Sequence, residues 1–131
     1  MHKGSCLCGA VEYEITGSLG PILFCHCSRC RKANGSAFAA VSPVAASNFR
    51  IVKGQECLRS YRTDAGVQRM FCGACGSPIF AMRDNMPETV RVRIGTLDTP
   101  VDANISAHIF VGSKAGWYEI HDDLPQHEER P

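Results

Sequence analysis

The stretch Cys72-Gly73-Ala74-Cys75-Gly76 places two thiols on either side of a short, glycine-rich turn. Gly73 and Gly76 permit the tight backbone in which amide N–H groups point at the sulfurs and stabilise their thiolate form. This arrangement is typical of a zinc knuckle, which supplies two of the four ligands of a tetrahedral Zn²⁺ ion. The sequence therefore predicts a fold organised around a metal ion whose other ligands come from a distant part of the chain.

Two more clusters contain most of the remaining cysteines. Cys6-Leu7-Cys8 lies near the start of the chain, and Cys25-His26-Cys27-Ser28-Arg29-Cys30 follows it. Spacing alone allows either Cys-x-Cys pair to complete the knuckle. The middle cluster has a third thiol, so ligand counting favours a closed site in the outer clusters and an open one in the middle. On this assignment the closed, structural set is Cys6, Cys8, Cys72 and Cys75, and the open set is Cys25, Cys27 and Cys30.

The open set has chemical consequences, because a metal ion with three protein ligands can accept an incoming thiol or water. A metal-bound thiol loses its proton at neutral pH and stays nucleophilic. Cys25, Cys27 and Cys30 therefore indicate a catalytic centre where a thiolate adds to a small carbonyl compound. The alternative is a second structural zinc completed by another side chain. His108 could supply that ligand after folding or could be a hydrogen-bonded core residue. Four of the cysteines could also hold an iron–sulfur cluster, but paired knuckles flanked by glycine favour zinc.

Bulk properties predict one globular domain spanning residues 1–131. The formal net charge of +1 is too small to favour nucleic acid or an anionic membrane surface as a partner. The only dense basic run, Arg29, Arg31 and Lys32, lies beside the predicted open site. These side chains are candidate contacts for the carboxylates of a thiol cofactor or substrate, although a solvated loop would also explain them.

The chain shows no apolar run behind its N-terminal positive charge and no stretch of about 18 apolar residues. We therefore expect no signal peptide, no membrane span and a cytoplasmic location. In that reducing compartment the eight cysteines are expected to be thiols or metal ligands, not disulfides.

Hydrophobic residues recur mainly with a period of two, which predicts a mainly β fold. Residues 11–15 alternate apolar and polar side chains, and residues 89–95 do the same with Arg91 and Arg93 on the polar face. Strands are predicted at residues 11–15, 21–24, 37–42, 58–62, 67–71, 89–95 and 105–110.

Helical signals are sparse. A helix of about two turns is predicted at Ser28 to Asn34, with Ser28 as its N-cap and Gly35 at its C-terminal end. A short turn is predicted near Val44 to Asn48. The polar residues 126–131 are expected to fray.

Three segments make the chain resemble the glutathione-dependent formaldehyde-activating enzyme family, whose domain also occurs in a centromere-associated protein. They are Gly4-Ser-Cys-Leu-Cys-Gly-Ala-Val11, Cys25-His-Cys-Ser-Arg-Cys-Arg-Lys32 and Phe71-Cys-Gly-Ala-Cys-Gly-Ser-Pro78. The resemblance implies an Mss4-like fold of several short antiparallel sheets around zinc. It also implies a structural zinc on Cys6, Cys8, Cys72 and Cys75, and a weaker catalytic zinc on Cys25, Cys27 and Cys30.

Together these observations lead to two main hypotheses. The first is a zinc-dependent carbon–sulfur lyase or aldehyde-activating enzyme that acts on the adduct of a thiol and an aldehyde. Glutathione is the candidate thiol. The second is a non-catalytic module that binds a partner protein and holds two structural zinc ions. Nucleic-acid binding through a zinc ribbon is the weakest reading, because the net charge is near neutral.

Overall fold

The computed structural model describes residues 1–131 and is built mainly from short strands. One α-helix of seven residues, α1, spans Ser28–Asn34, and no helix is both long and apolar enough to cross a membrane. The strands are β1 His2–Ser5, β2 Glu12–Ile15, β3 Ile22–Cys25, β4 Ala39–Ala45, β5 Phe49–Lys53, β6 Leu58–Arg62, β7 Val67–Cys72, β8 Pro78–Arg83, β9 Met86–Arg93 and β10 Ile105–Ile109. Single 3₁₀ turns occupy Ala46–Asn48, Gln55–Cys57, Ile94–Thr96 and Val111–Ser113.

The strands form two sheets. The smaller sheet has the order β1-β2-β5, and the larger has the order β10-β3-β4-β9-β8-β7-β6. Every neighbouring pair is antiparallel except β10 and β3, which run parallel. The mainly β, largely antiparallel architecture expected from the sequence is confirmed.

The main core lies between the two sheets. Tyr13 and Ile15 of β2 pack in one buried cluster with Val90 and Val92 of β9. Because successive side chains of a strand point to opposite faces, Arg91 and Arg93 must lie on the other face of the larger sheet. Alternation in β9 therefore separates an apolar face inside the sandwich from a basic face outside it.

All seven strands predicted from the sequence are present, with ends that shift by up to three residues. β1, β5 and β8 were missed. β1 reads His-Lys-Gly-Ser and has no apolar alternation, so only its pairing with β2 makes it a strand. β5 and β8 likewise acquire their register from the neighbouring strands β2, β7 and β9.

The predicted N-cap of α1 was wrong. The capping residue is Cys27, whose Sγ accepts a hydrogen bond from the Cys30 N–H at 3.3 Å. Ser28 lies inside the helix instead. Gly35 ends the helix in the left-handed conformation, with φ 63°, as its position predicts. The predicted turn near Val44 is confined to Ala46–Asn48, because Val44 belongs to β4.

The expectation of a frayed C-terminus was also wrong for residues 126–129. Residues 125–129 pair with β10 and the turn that follows it. The His108 N–H donates to the Pro125 carbonyl at 2.9 Å, and the His127 N–H donates to the His108 carbonyl at 3.0 Å. The Phe110 N–H donates to the Glu129 main-chain carbonyl at 2.9 Å. Polar side chains suggested fraying, but main-chain hydrogen bonds hold this segment irrespective of side-chain polarity.

Gly54 is a position where only glycine fits. Its φ is +81°, and a Cβ there would lie 2.0 Å from the Ala10 carbonyl oxygen. We expect Gly54→Ala to lower the free energy of unfolding by about 3 kcal/mol, because left-handed strain adds to a backbone clash. Gly35→Ala is the matched control, since Gly35 has φ +63° but open space around it. Urea unfolding followed by circular dichroism should show a clearly smaller loss for the control; equal losses would contradict the clash.

Candidate metal centres

The first cysteine cluster joins the two sheets. Cys6 and Cys8 lie in the turn between β1 and β2, Cys72 ends β7, and Cys75 lies in the turn before β8. Their four Sγ atoms all lie within 4.8 Å of one another. The Cys6–Cys8 and Cys8–Cys72 sulfur pairs are 3.6 Å and 3.9 Å apart. Tetrahedral Zn²⁺ with bonds of 2.3 Å requires sulfur pairs about 3.8 Å apart, so this donor set fits zinc.

Hydrogen bonds around this cluster stabilise thiolate sulfur. The Val11 N–H donates to Cys6 Sγ at 3.2 Å. Ser77 Oγ lies 3.3 Å from Cys75 Sγ and accepts the Leu7 N–H at 2.9 Å, so it links the two cysteine loops. The side-chain hydrogen bond with Ser77 is the largest cause that lowers the pKa of Cys75 to about 5. A lowered thiol pKa is what metal ligation requires.

The second cluster lies on the far side of the larger sheet. Cys25 ends β3, Cys27 caps α1, and Cys30 lies in the first turn of that helix. Their sulfur atoms lie within 4.8 Å of one another, and no fourth His, Cys, Asp or Glu ligand atom belongs to the group. Three soft thiol donors at this spacing fit a zinc ion with one position left for an external ligand.

Ionisation within this cluster is unequal. Hydrogen bonds from the Cys25 and Cys30 side chains lower the pKa of Cys27. Side-chain hydrogen bonds with Cys27 and Cys30, together with burial, raise the pKa of Cys25. Arg69 from β7 adds a positive charge, with its Nη2 3.8 Å from Cys30 Sγ. Cys27 therefore forms a thiolate more readily than Cys25 does, and it is the least buried of the three.

A cavity of about 230 Å³ opens beside these three cysteines. Its wall includes Cys25, Cys27 and Cys30, but no aspartate or glutamate. Six arginines contribute to the same wall, from α1, from three strands and from the C-terminal segment: Arg29, Arg69, Arg83, Arg91, Arg93 and Arg130. The cavity thus combines thiol ligands with a strongly positive surface.

The three residues of the basic run that was predicted to contact a substrate do not all lie at the cavity. Arg29 is exposed and lines the cavity, whereas Arg31 is half-buried, Lys32 is exposed, and neither belongs to the cavity wall. The remaining arginines were missed because they are scattered over sixty residues of sequence. The alternation in β9 did place Arg91 and Arg93 on one face, but nothing in the sequence showed that this face borders the cysteines.

His108 proves to be a hydrogen-bonded core residue and not a member of the second cluster. Its Nδ1 lies 2.8 Å from His26 Nε2, and its Nε2 lies 2.9 Å from Asp122 Oδ2. Both histidine side chains are fully buried. Burial is the main cause that lowers the pKa of His26 to about 4, so this ring is neutral. The network ties the Cys25–Cys27 loop to β10 and to the C-terminal segment.

Two further residues, a cysteine and a tryptophan, lie outside both clusters. Cys57 is a half-buried free thiol with no metal-ligand partner. Trp117 is 73% exposed, and it does not line the cavity.

Comparison with known proteins finds relatives of similar sequence. The chain is 28% identical over 116 residues to proteins of Aspergillus flavus and Aspergillus oryzae, each named "Putative glutathione-dependent formaldehyde-activating enzyme". These alignments cover 87% of this chain and 54% of each relative, so the chain spans about half their length. A protein of Schizosaccharomyces pombe named "Uncharacterized lyase" is 28% identical over 79 residues, which cover 60% of this chain and 56% of that protein.

A solved structure has a similar fold and sequence. The crystal structure of a Rhodobacter sphaeroides protein superposes with a TM-score of 0.64 at 30% sequence identity, covering 76% of this chain and 91% of that one. The family model described as glutathione-dependent formaldehyde-activating enzyme matches residues 1–113, which include all seven clustered cysteines. The chain therefore belongs to the glutathione-dependent formaldehyde-activating enzyme family.

Proposed function

We propose that the protein is a zinc-dependent carbon–sulfur lyase that forms and cleaves the adduct between a thiol and a small aldehyde. The observation that carries the proposal is the second cysteine cluster: three grouped thiols, no fourth protein ligand atom, and a cavity beside them. The family supports glutathione as the thiol and formaldehyde as the aldehyde.

Cys25, Cys27 and Cys30 would hold the catalytic zinc, which would lower the pKa of an incoming substrate thiol. In the proposed reaction the substrate sulfur bonds to the carbonyl carbon, and the carbonyl oxygen takes up the proton lost by the thiol. The step neither consumes nor releases any other reagent, and the same steps in reverse cleave the adduct. Arg69 next to Cys30 would offset negative charge on the sulfurs, and Arg29, which lines the cavity, would bind a substrate carboxylate.

Cys6, Cys8, Cys72 and Cys75 would hold a structural zinc that ties the two sheets together. The closed four-thiol set leaves no position for substrate. All eight cysteines are free thiols, which supports a reducing compartment such as the cytoplasm as the place of action.

Replacing Cys27 by serine tests this proposal. The half-buried Cys27 side chain caps α1, and serine is a good N-cap, so the helix should be preserved. A serine hydroxyl is a poor zinc ligand, because it does not ionise at neutral pH. Exchange NMR on ¹³C-formaldehyde and glutathione measures how fast the adduct forms and breaks. We expect wild-type protein to accelerate this exchange and Cys27→Ser to return it to the spontaneous rate.

Cys57→Ser is the matched control, because Cys57 is a half-buried thiol outside both clusters. It should keep full acceleration. Zinc content completes the test: we expect two ions in the wild type and one in Cys27→Ser. Acceleration retained by Cys27→Ser would overturn the proposal. Wild-type protein that binds two zinc ions firmly without any acceleration would instead favour the non-catalytic module.

A further inference from the structure

Positive charge in the cavity is concentrated on one face of the larger sheet. Arg69 of β7 and Arg91 of β9 both stand opposite Ala81 of β8 in the strand register. Neighbouring strands lie about 4.8 Å apart, so the two arginine backbones flank Ala81 at roughly 10 Å from each other. The small Ala81 side chain leaves space between two long guanidinium side chains. Arg93, two residues beyond Arg91, extends the same basic row.

These arginines lack acidic partners. None of the six arginines in the cavity wall makes a salt bridge. Arg93 is only 7% exposed, and its guanidinium donates one hydrogen bond, to the Arg91 carbonyl at 3.4 Å. Even if all three cysteine thiols were ionised, six guanidinium charges would face three negative ones. Unpaired charge that is withdrawn from water is costly unless a counter-charge is supplied. An anionic ligand in the cavity would supply it.

The space available limits the size of that ligand. The cavity of about 230 Å³ is smaller than the roughly 300–1,000 Å³ typical of pockets for drug-sized molecules. Arginine forks bind carboxylates in a planar, bidentate geometry. A compact molecule with two carboxylates could therefore satisfy Arg69 and Arg91 together while its remaining atoms face the cysteines.

We propose that the cavity selects compact thiols that carry two carboxylates, held over Ala81 by Arg69 and Arg91 with the sulfur directed at Cys25, Cys27 and Cys30. The inference rests on the proposed thiol–aldehyde function and names its substrate class. It assigns Arg69 and Arg91 as specificity-determining residues. It also implies that glutathione, a larger tripeptide, fits this chain less well than a small dicarboxylate thiol.

Calorimetric titration of the zinc-loaded full chain tests the charge requirement. The probes are mercaptosuccinate, 3-mercaptopropionate and 2-mercaptoethanol, which carry two, one and no carboxylates, together with glutathione. We expect each carboxylate to tighten binding about tenfold. Mercaptosuccinate should also bind more tightly than glutathione. Equal dissociation constants for the three small thiols, or tighter binding of glutathione, would overturn the inference.

Two variants locate the effect. Arg91→Gln and Arg69→Gln should each reduce the preference for mercaptosuccinate over 2-mercaptoethanol about tenfold. Because the two substitutions are on different strands, the test still works if one of the variants does not fold. Arg50→Gln is the matched control, because Arg50 is an arginine of the smaller sheet paired with Glu14 at 2.8 Å. It should leave the preference unchanged. An unchanged preference in both cavity variants would overturn the assignment.

Succinate, which has no thiol, separates this inference from the proposed function. Charge-dependent binding of succinate and mercaptosuccinate without accelerated formaldehyde addition would support the anion site and overturn the lyase. Equal acceleration with 2-mercaptoethanol and mercaptosuccinate would overturn the substrate class and leave the lyase standing.

Discussion

Cys72→Ser is expected to leave the protein largely unfolded at room temperature. Cys72 is fully buried, belongs to the main core and lies within the four-cysteine group. Its replacement removes one zinc ligand and places a hydroxyl where no water can reach it. Structural zinc contributes on the order of 10 kcal/mol in small domains, which is comparable to the whole stability of a domain of this size. We therefore expect a loss above about 5 kcal/mol.

Circular dichroism and zinc analysis measure the two parts of this effect. Wild-type protein treated with a strong chelator should unfold in the same way, because the chelator removes the same ion. Cys57→Ser again serves as the control, with an expected change below about 1 kcal/mol. If Cys72→Ser unfolds at the same denaturant concentration as wild type, the four-cysteine site does not hold the two sheets together.

Removal of the buried imidazole in His108→Ala is expected to cost about 3 kcal/mol of unfolding free energy. His108 is fully buried, contacts the Phe24 ring edge-on, and connects His26 to Asp122. Truncation leaves a cavity and deprives the buried His26 Nε2 of its partner, and each of these effects is destabilising. Because His26 lies between Cys25 and Cys27, we also expect weaker zinc retention at the three-cysteine site.

His121→Ala is the matched control for this effect. The His121 side chain is 80% exposed and pairs only with the equally exposed Glu119, so its removal should change stability by less than about 0.5 kcal/mol. Thermal unfolding and chelator-driven zinc release should be followed for both variants. Similar behaviour of His108→Ala and His121→Ala would show that the buried network does not support the site.

Local sequence patterns predicted much of the fold. Alternating side chains predicted most strands, since one face of each is buried and the period of two is visible in the residues. The C-terminal end of α1 was also readable, because Gly35 adopts the left-handed conformation that ends a helix. β1 and the ordered residues 125–129 were not readable, because main-chain pairing with distant strands determines them and leaves no side-chain signal.

The sequence by itself determined which thiols can act together, because metal ligands come in short, recognisable spacings that local backbone geometry imposes. Spacing alone left open which pair completes the Cys72–Cys75 knuckle. The family resemblance indicated Cys6 and Cys8, and the fold places these two residues beside the knuckle. The tertiary structure alone decided that His108 is a core residue and that Arg69 and Arg91 flank one small alanine beside the cysteines. The reason is physical: strands distant in sequence meet through backbone hydrogen bonds, and the spacing between their side chains exists only once the sheet has formed.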